Sequence, residues 1–388
     1  MEQILQHIPE FKTAADAMRE VVLANLVLIA EAPAPTGREE RRIRVLLERF
    51  NEAGVQQCSI DDRGSGFGVL PGTEGTRTIL IATNADSLGD RPEDAHVEIG
   101  TTDVVGPFLG DNSLALAAMA SLPLLLDRLG IKLRSNLVLM GAARMFGRCN
   151  LEGLSYFLGN APLPIKYGVC LKGVQLGRLN YSCLGMMLVD AVTRVPDDYK
   201  WAQFGTTGSI VPMNDLINRI NKIALPRRPM TSIIFGMLKG GFTYGHIARQ
   251  TVLSFEVRSE SAEMLGQIAQ QLEDIGEDVA ANSGVSVHMD VFARRQPGGM
   301  DISHPLVRQA KAVQGTLGIQ SILYPTTSAM ACFVERKIPA LTIGCATPVV
   351  RTDLDELQQP VVIASLADGL AQLAGILLAI DGGHCDAQ

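Results

Sequence analysis

Residues 76–86 read TRTILIATNAD and residues 135–142 read SNLVLMGA, and these two runs decide the fold. Each is a short, almost continuous apolar stretch, without the alternation of a strand that keeps one face in water. That is the pattern of a strand covered on both faces, as in a parallel sheet. YGVCL (167–171) and PALTIGC (339–345) repeat it. Helical patterns lie between and around these runs: residues 13–30, residues 38–53, the apolar NSLALAAMASLPLLLDRL after Asp111, and SLADGLAQLAGILLAI from Ser365. The helix over 38–53 has Thr36 and Glu39 at capping-box spacing and stops before Gly54. Strands interleaved with helices predict an α/β fold, a mostly parallel sheet sandwiched by helices.

The middle of the chain follows another pattern. MTSIIFGMLKGG (230–241), QTVLSFEVRS (250–259) and GVSVHMDVFARR (284–295) are strand-like, while NDLINRINKI and AEMLGQIAQQLEDI are amphipathic helices. These predict an α+β layer. A single core stops growing at about 250–300 residues, and the chain has 388. The expected organisation is therefore a discontinuous α/β domain, residues 1–183 and 296–388, interrupted by an inserted α+β domain, residues 184–295.

Composition narrows the function. Apolar residues make up 47% and charged residues 19%, enough for packed cores. The formal charge of −7 and the lack of a basic cluster argue against nucleic acid or an anionic membrane as partner. The run VVLANLVLIA falls short of the roughly 20 apolar residues a span needs. The N-terminal MEQILQHIPEF has no cleavable apolar core. The seven cysteines (Cys58, Cys149, Cys170, Cys183, Cys332, Cys345 and Cys385) include no CxxC pair. They fit buried thiols in a reducing compartment, so a cytoplasmic location is expected.

Several stretches, in order along nearly the whole chain, resemble one family. Thr36-Gly37-Arg38-Glu39-Glu40 resembles a helix start of that family. GVLPGTEGTRTILIATNAD resembles its strand entering the first metal loop, and GPFLGDNSLALAAM (106–119) its second. IIFGMLKGG followed by VLSFEVRSESAEMLGQI resembles its lid domain. The family is that of co-catalytic zinc exopeptidases and deacylases, which includes peptidase T, carboxypeptidase G, aminoacylase and succinyl-diaminopimelate desuccinylase. The resemblance implies two zinc ions about 3.5–4 Å apart, bridged by a carboxylate and a water, with a glutamate taking the water's proton. It also implies that the inserted domain is a lid or dimerisation domain, with a homodimer formed through it.

Here the ligand pattern is eroded. Where the family has His-x-Asp, this sequence has Asn84-Ala85-Asp86, which keeps only the Asp that orients the site. The bridging ligand is kept as Asp111, followed by Asn112. The Glu-Glu pair, general base and ligand, falls on Met145-Phe146, and no acid occurs between Gly141 and Asn150. The next ligand falls on Lys172 and the last on Arg351, leaving Asp111 as the one retained ligand. Two lost ligands became cations, so Lys172 and Arg351 are expected to pair with Asp86 and Asp111 in place of the metals. No cofactor is expected.

Other residues offer alternatives. Cys149, Cys170 and Cys345 flank lost ligand positions and could in principle build a thiolate site. His246, in the turn GGFTYGHIA, and Arg258, in FEVRS, are candidate ligand-binding residues of the lid, and a structural ion pair serves Arg258 equally well. His96 and His384 fit solvated positions. The first functional reading is a pseudoenzyme of this family that binds a peptide, an acyl-amino acid or a protein partner. The alternative is an active amino- or dipeptidase or acyl-amino-acid amidohydrolase with a remodelled site. A purely structural role is a third.

Overall fold

The computed structural model describes residues 1–89, 96–197, 208–349 and 358–387, without the side chain of Asp111. The chain forms two units, one of Met1–Ser182 with Gly299–Gln388 and one of Cys183–Gly298.

The first unit is built on a seven-stranded sheet. Its strands are β1 (Gln56–Ile60), β2 (Gly66–Leu70), β3 (Thr78–Asn84), β4 (Asn136–Ala142), β5 (Ile165–Val174), β6 (Leu179–Asn180) and, after the inserted unit, β11 (Ala340–Ala346). The spatial order is β1-β2-β4-β3-β5-β11-β6. The middle four, β4, β3, β5 and β11, run parallel, and β2 and β6 lie antiparallel beside them. All seven residues of β3 and all seven of β11 are buried, as their unbroken apolar runs predict. The sheet is α/β and mostly parallel.

Helices α1 (Glu2–Asp16), α2 (Arg19–Ala30), α3 (Glu40–Glu52), α4 (Leu114–Arg128) and α5 (Glu152–Asn160) belong to this unit. So do α8 (Pro305–Thr316), α9 (Met330–Glu335) and α10 (Ser365–Asp381). Helices α4 and α10 are buried almost all round, because each packs on the sheet and on other helices, α4 on α2 and α10 on α1 and α8. The helical pattern of residues 13–30 resolves into two helices, since Met18 N turns back to the Ala15 carbonyl and ends the first. The capping box is not made. Thr36 Oγ1 donates to Asp86, and Glu39 Oε1 accepts from Gly37 N and Arg144 N, so both side chains serve neighbouring loops instead of the helix end.

The inserted unit holds a four-stranded antiparallel sheet of β7 (Gly185–Arg194), β8 (Thr231–Gly240), β9 (Gln250–Ser259) and β10 (Ser286–Arg295), in the order β8-β9-β7-β10. Helices α6 (Ile210–Ile220) and α7 (Ala262–Ser283) pack on it. Its core joins Met187, Val189, Phe255 and Val257 to Leu216, Leu265 and Ile268. Strand β9 alternates buried and half-buried along its length, as a sheet with one covered face requires. Helix α7 is capped by Ser261 Oγ, which accepts from Met264 N at 3.2 Å.

Among the described residues, no helix is long and apolar enough to cross a membrane.

Candidate functional site

Sheets of this kind bind ligands beyond the carboxyl ends of their parallel strands, where the strand order reverses. Here the order reverses at β3, which has β4 on one side and β5 on the other. Asn84 is the last residue of β3, Met145 and Phe146 follow β4, and Lys172 lies near the end of β5. In register, Asn84 stands beside Ala142, and Lys172 stands beside Gly344 of β11. Asp111 and Asn112 sit in a π-helical turn, Leu109–Ser113, that leads into α4. The chain therefore brings the ends of three strands and this turn together.

Asp86 organises the centre. It is fully buried, and its Oδ2 accepts from Met145 N (2.8 Å), Phe146 N (2.9 Å) and Thr36 Oγ1 (2.9 Å). Its Oδ1 is buried with no partner among the described residues. Burial pushes its carboxyl above the ordinary carboxylate range; the three donated hydrogen bonds pull the other way and do not cancel it, and nearby Glu39 adds to the rise. The main chain at Met145 and Phe146 is thus turned toward Asp86. The same loop carries Arg144, Asn150 and Leu151 at φ of 55°, 53° and 60°, a left-handed conformation costly for residues with a Cβ. It is held by Arg144 N donating to Glu39 and by Arg144 Nε donating to Glu152 Oε2 at 2.6 Å.

Lys172 faces this loop from β5. Its Nζ donates to Asn112 Oδ1 at 3.3 Å and lies 5.9 Å from the centre of the Phe146 ring. Asn112 is fully buried. The expected pairing of Lys172 with Asp86 is not made: neutral donors hold Asp86, and the described contacts of Lys172 include an amide and an aromatic face. Arg351 lies outside the described residues, as does the Asp111 side chain.

The other candidates fall in both units: three cysteines in the first, Arg258 and His246 in the inserted one. Cys345 is buried and its thiol is pushed up to about 12 by desolvation, and burial also raises the Cys149 thiol. Cys170 is buried in β5. In the inserted unit, Arg258 donates from Nε and Nη2 to the two carboxylate oxygens of Glu256, both at 2.8 Å, so its fork serves an ion pair along its own strand. His246 is exposed, with Nδ1 3.3 Å from the Tyr244 carbonyl oxygen. Sequence reasoning missed Glu39 and Thr36 as supports of the centre. Their spacing signals a helix cap, and only the fold shows them bonded to the loop after β4 and to Asp86.

The donor set decides whether a dinuclear zinc centre fits. Among the described positions that would supply ligands, Asn84 offers a neutral amide, Phe146 a hydrocarbon ring and Lys172 an ammonium. Zinc sites are built from thiolate, imidazole and carboxylate. Among the described residues, no three histidine, cysteine, aspartate or glutamate side chains converge as a metal site. The described residues at these positions do not fit a zinc pair.

No protein-family model matches the chain, and neither does any curated protein sequence. Solved structures match along nearly its whole length. Aminopeptidase PepT from Bacillus cereus superposes with a TM-score of 0.70 at 17% identity, over 92% of this chain and 98% of that one. The dipeptidase Dug1p from Saccharomyces cerevisiae gives 0.77 at 11% identity, over 97% and 98%. Human carnosine dipeptidase 1 gives 0.76 at 12% identity, over 97% and 100%. At such identities the likeness is one of architecture, and the chain has the fold of these aminopeptidases and dipeptidases.

Proposed function

We propose that this chain is a divergent member of the co-catalytic zinc exopeptidase and deacylase family that binds a peptide or acyl-amino acid without hydrolysing it. The observation that carries the reading is the pairing of Phe146 with Lys172 at the carboxyl ends of the strands. A hydrolase of this family needs a general base and a Lewis acid there, and a ring packed under an ammonium supplies neither. Asp86, bonded to Thr36 and two main-chain amides, supports the loop. Ligand contacts from His246 of the inserted unit, and a cytoplasmic location, belong to the same proposal.

The likeness in fold to peptidases favours the second reading, an amino- or dipeptidase or acyl-amino-acid amidohydrolase with a remodelled site. The purified chain, assayed on dipeptides, tripeptides and N-acyl amino acids with and without Zn²⁺, Co²⁺ or Mn²⁺, separates the two. Saturable binding by calorimetry without turnover supports the binder. Turnover that Asp111→Ala abolishes establishes the hydrolase.

The proposal includes a homodimer formed through the inserted unit. Strand β8 is an edge strand of its sheet and leaves Ile234, Phe235, Met237 and Leu238 exposed. Exposed apolar edges of this kind pair with another chain unless they are covered.

A further inference from the structure

We infer that the Lys172 ammonium is the resident cation of this centre: it supplies the positive charge that a metal would, and it keeps a divalent ion out. The inference rests on the reading that the centre is not a zinc pair, and it goes further by naming one residue as the determinant. Lost ligands alone would leave a weak site; a fixed cation in the same place makes the site repulsive to a second one.

Three observations place the charge. Gly173, next to Lys172, packs directly on the π-helical turn, so that a Cβ there would come within 2.8 Å of the Leu109 and Gly110 carbonyl oxygens. The end of β5 is therefore pressed against the turn that carries Asp111 and Asn112, and Lys172 Nζ meets Asn112 Oδ1 at 3.3 Å. On the side of the β4–α5 loop, the Phe146 ring stands 5.9 Å from the same ammonium, in range of a cation–π contact.

The test compares zinc content and melting temperature, which do not depend on turnover. Wild type, dialysed to equilibrium against buffered Zn²⁺, is expected to hold no stoichiometric zinc. Asn84→His/Phe146→Glu, with Lys172 kept, should stay nearly as weak. The same variant with Lys172→Met added, which removes the cation without adding a ligand, should bind about 10–100-fold more tightly, a change of the size seen when a site's supporting groups are altered. Separately, Lys172→Met should lower the melting temperature while Lys172→Arg retains it, and this pair decides the matter even if the multiple variants do not fold. Stoichiometric zinc in wild type, equal zinc affinity with and without Lys172, or a Lys172→Met protein that melts like wild type overturns the inference. Hydrolysis by a metal-free wild type would instead overturn the binder reading and leave this one standing.

Discussion

Asp86 spends one carboxylate oxygen on two main-chain N–H groups and a threonine hydroxyl. Buried donors that lose their acceptor cost about 1–3 kcal/mol each. Asp86→Ala strands the amides of Met145 and Phe146, so it should destabilise the fold by about 2–5 kcal/mol on the same basis. Asp86→Asn keeps one acceptor oxygen and should lose less. Urea midpoints of the two variants check this, and an Asp86→Ala protein as stable as wild type would show that the loop is held by other contacts. The retained aspartate was legible in the sequence as Asn84-Ala85-Asp86. Its partners were not, because main-chain amides carry no side-chain signature and Thr36 lies fifty residues upstream.

At the scale of elements, close backbone packing joins the last helix to the sheet. A Cβ on Gly369 of α10 would fall on the Cys345 carbonyl oxygen of β11. No side-chain rotation relieves a clash with a main chain, so the helix must move. Gly369→Ala should cost about 1–3 kcal/mol, the usual price of forcing extra volume into a packed core. Thermal and denaturant unfolding would measure it, and a neutral result would mean that α10 slides freely on β11. Helix α10 itself was visible as a helical pattern because its apolar residues exceed what one face can hold. The loop after β4 was not, since Arg144, Asn150 and Leu151 give no local hint of left-handed backbone.

At the scale of the molecule, distant segments of the first unit are tied by charge. Arg77, just before β3, donates to both oxygens of Asp386, at 3.1 and 2.7 Å, and Tyr167 OH adds a third hydrogen bond at 2.8 Å. Burial alone would raise the Asp386 carboxyl, but the hydrogen bonds from Tyr167 and Arg77 and the nearby Lys166 outweigh it and hold it below the ordinary value of 3.8. A lowered folded-state value means stability that is present above pH 3.8 and lost as pH falls through the folded value. Wild type should therefore melt above Asp386→Asn at neutral pH, and the gap should close on acidification below that value. A gap independent of pH would show that the tie is not ionic. For the inserted unit, Leu238→Lys on the exposed edge of β8 should convert a dimer into monomers in analytical ultracentrifugation. A wild type that sediments as a monomer would remove the dimer proposal.

The sequence by itself determined the layered α/β architecture and the lack of acids in the loop after β4. Unbroken apolar runs, alternating runs and the absence of acids between Gly141 and Asn150 are local properties, readable without a partner. Only the tertiary structure decided how the surviving polar groups are used. Thr36 and Glu39 left the helix cap for the loops, Asp86 took Thr36 and main-chain donors, and Lys172 reached Asn112 and Phe146. The reason is geometric. Hydrogen-bond choice depends on distances of a few ångströms between segments far apart in the chain, and spacing along the sequence does not encode those distances.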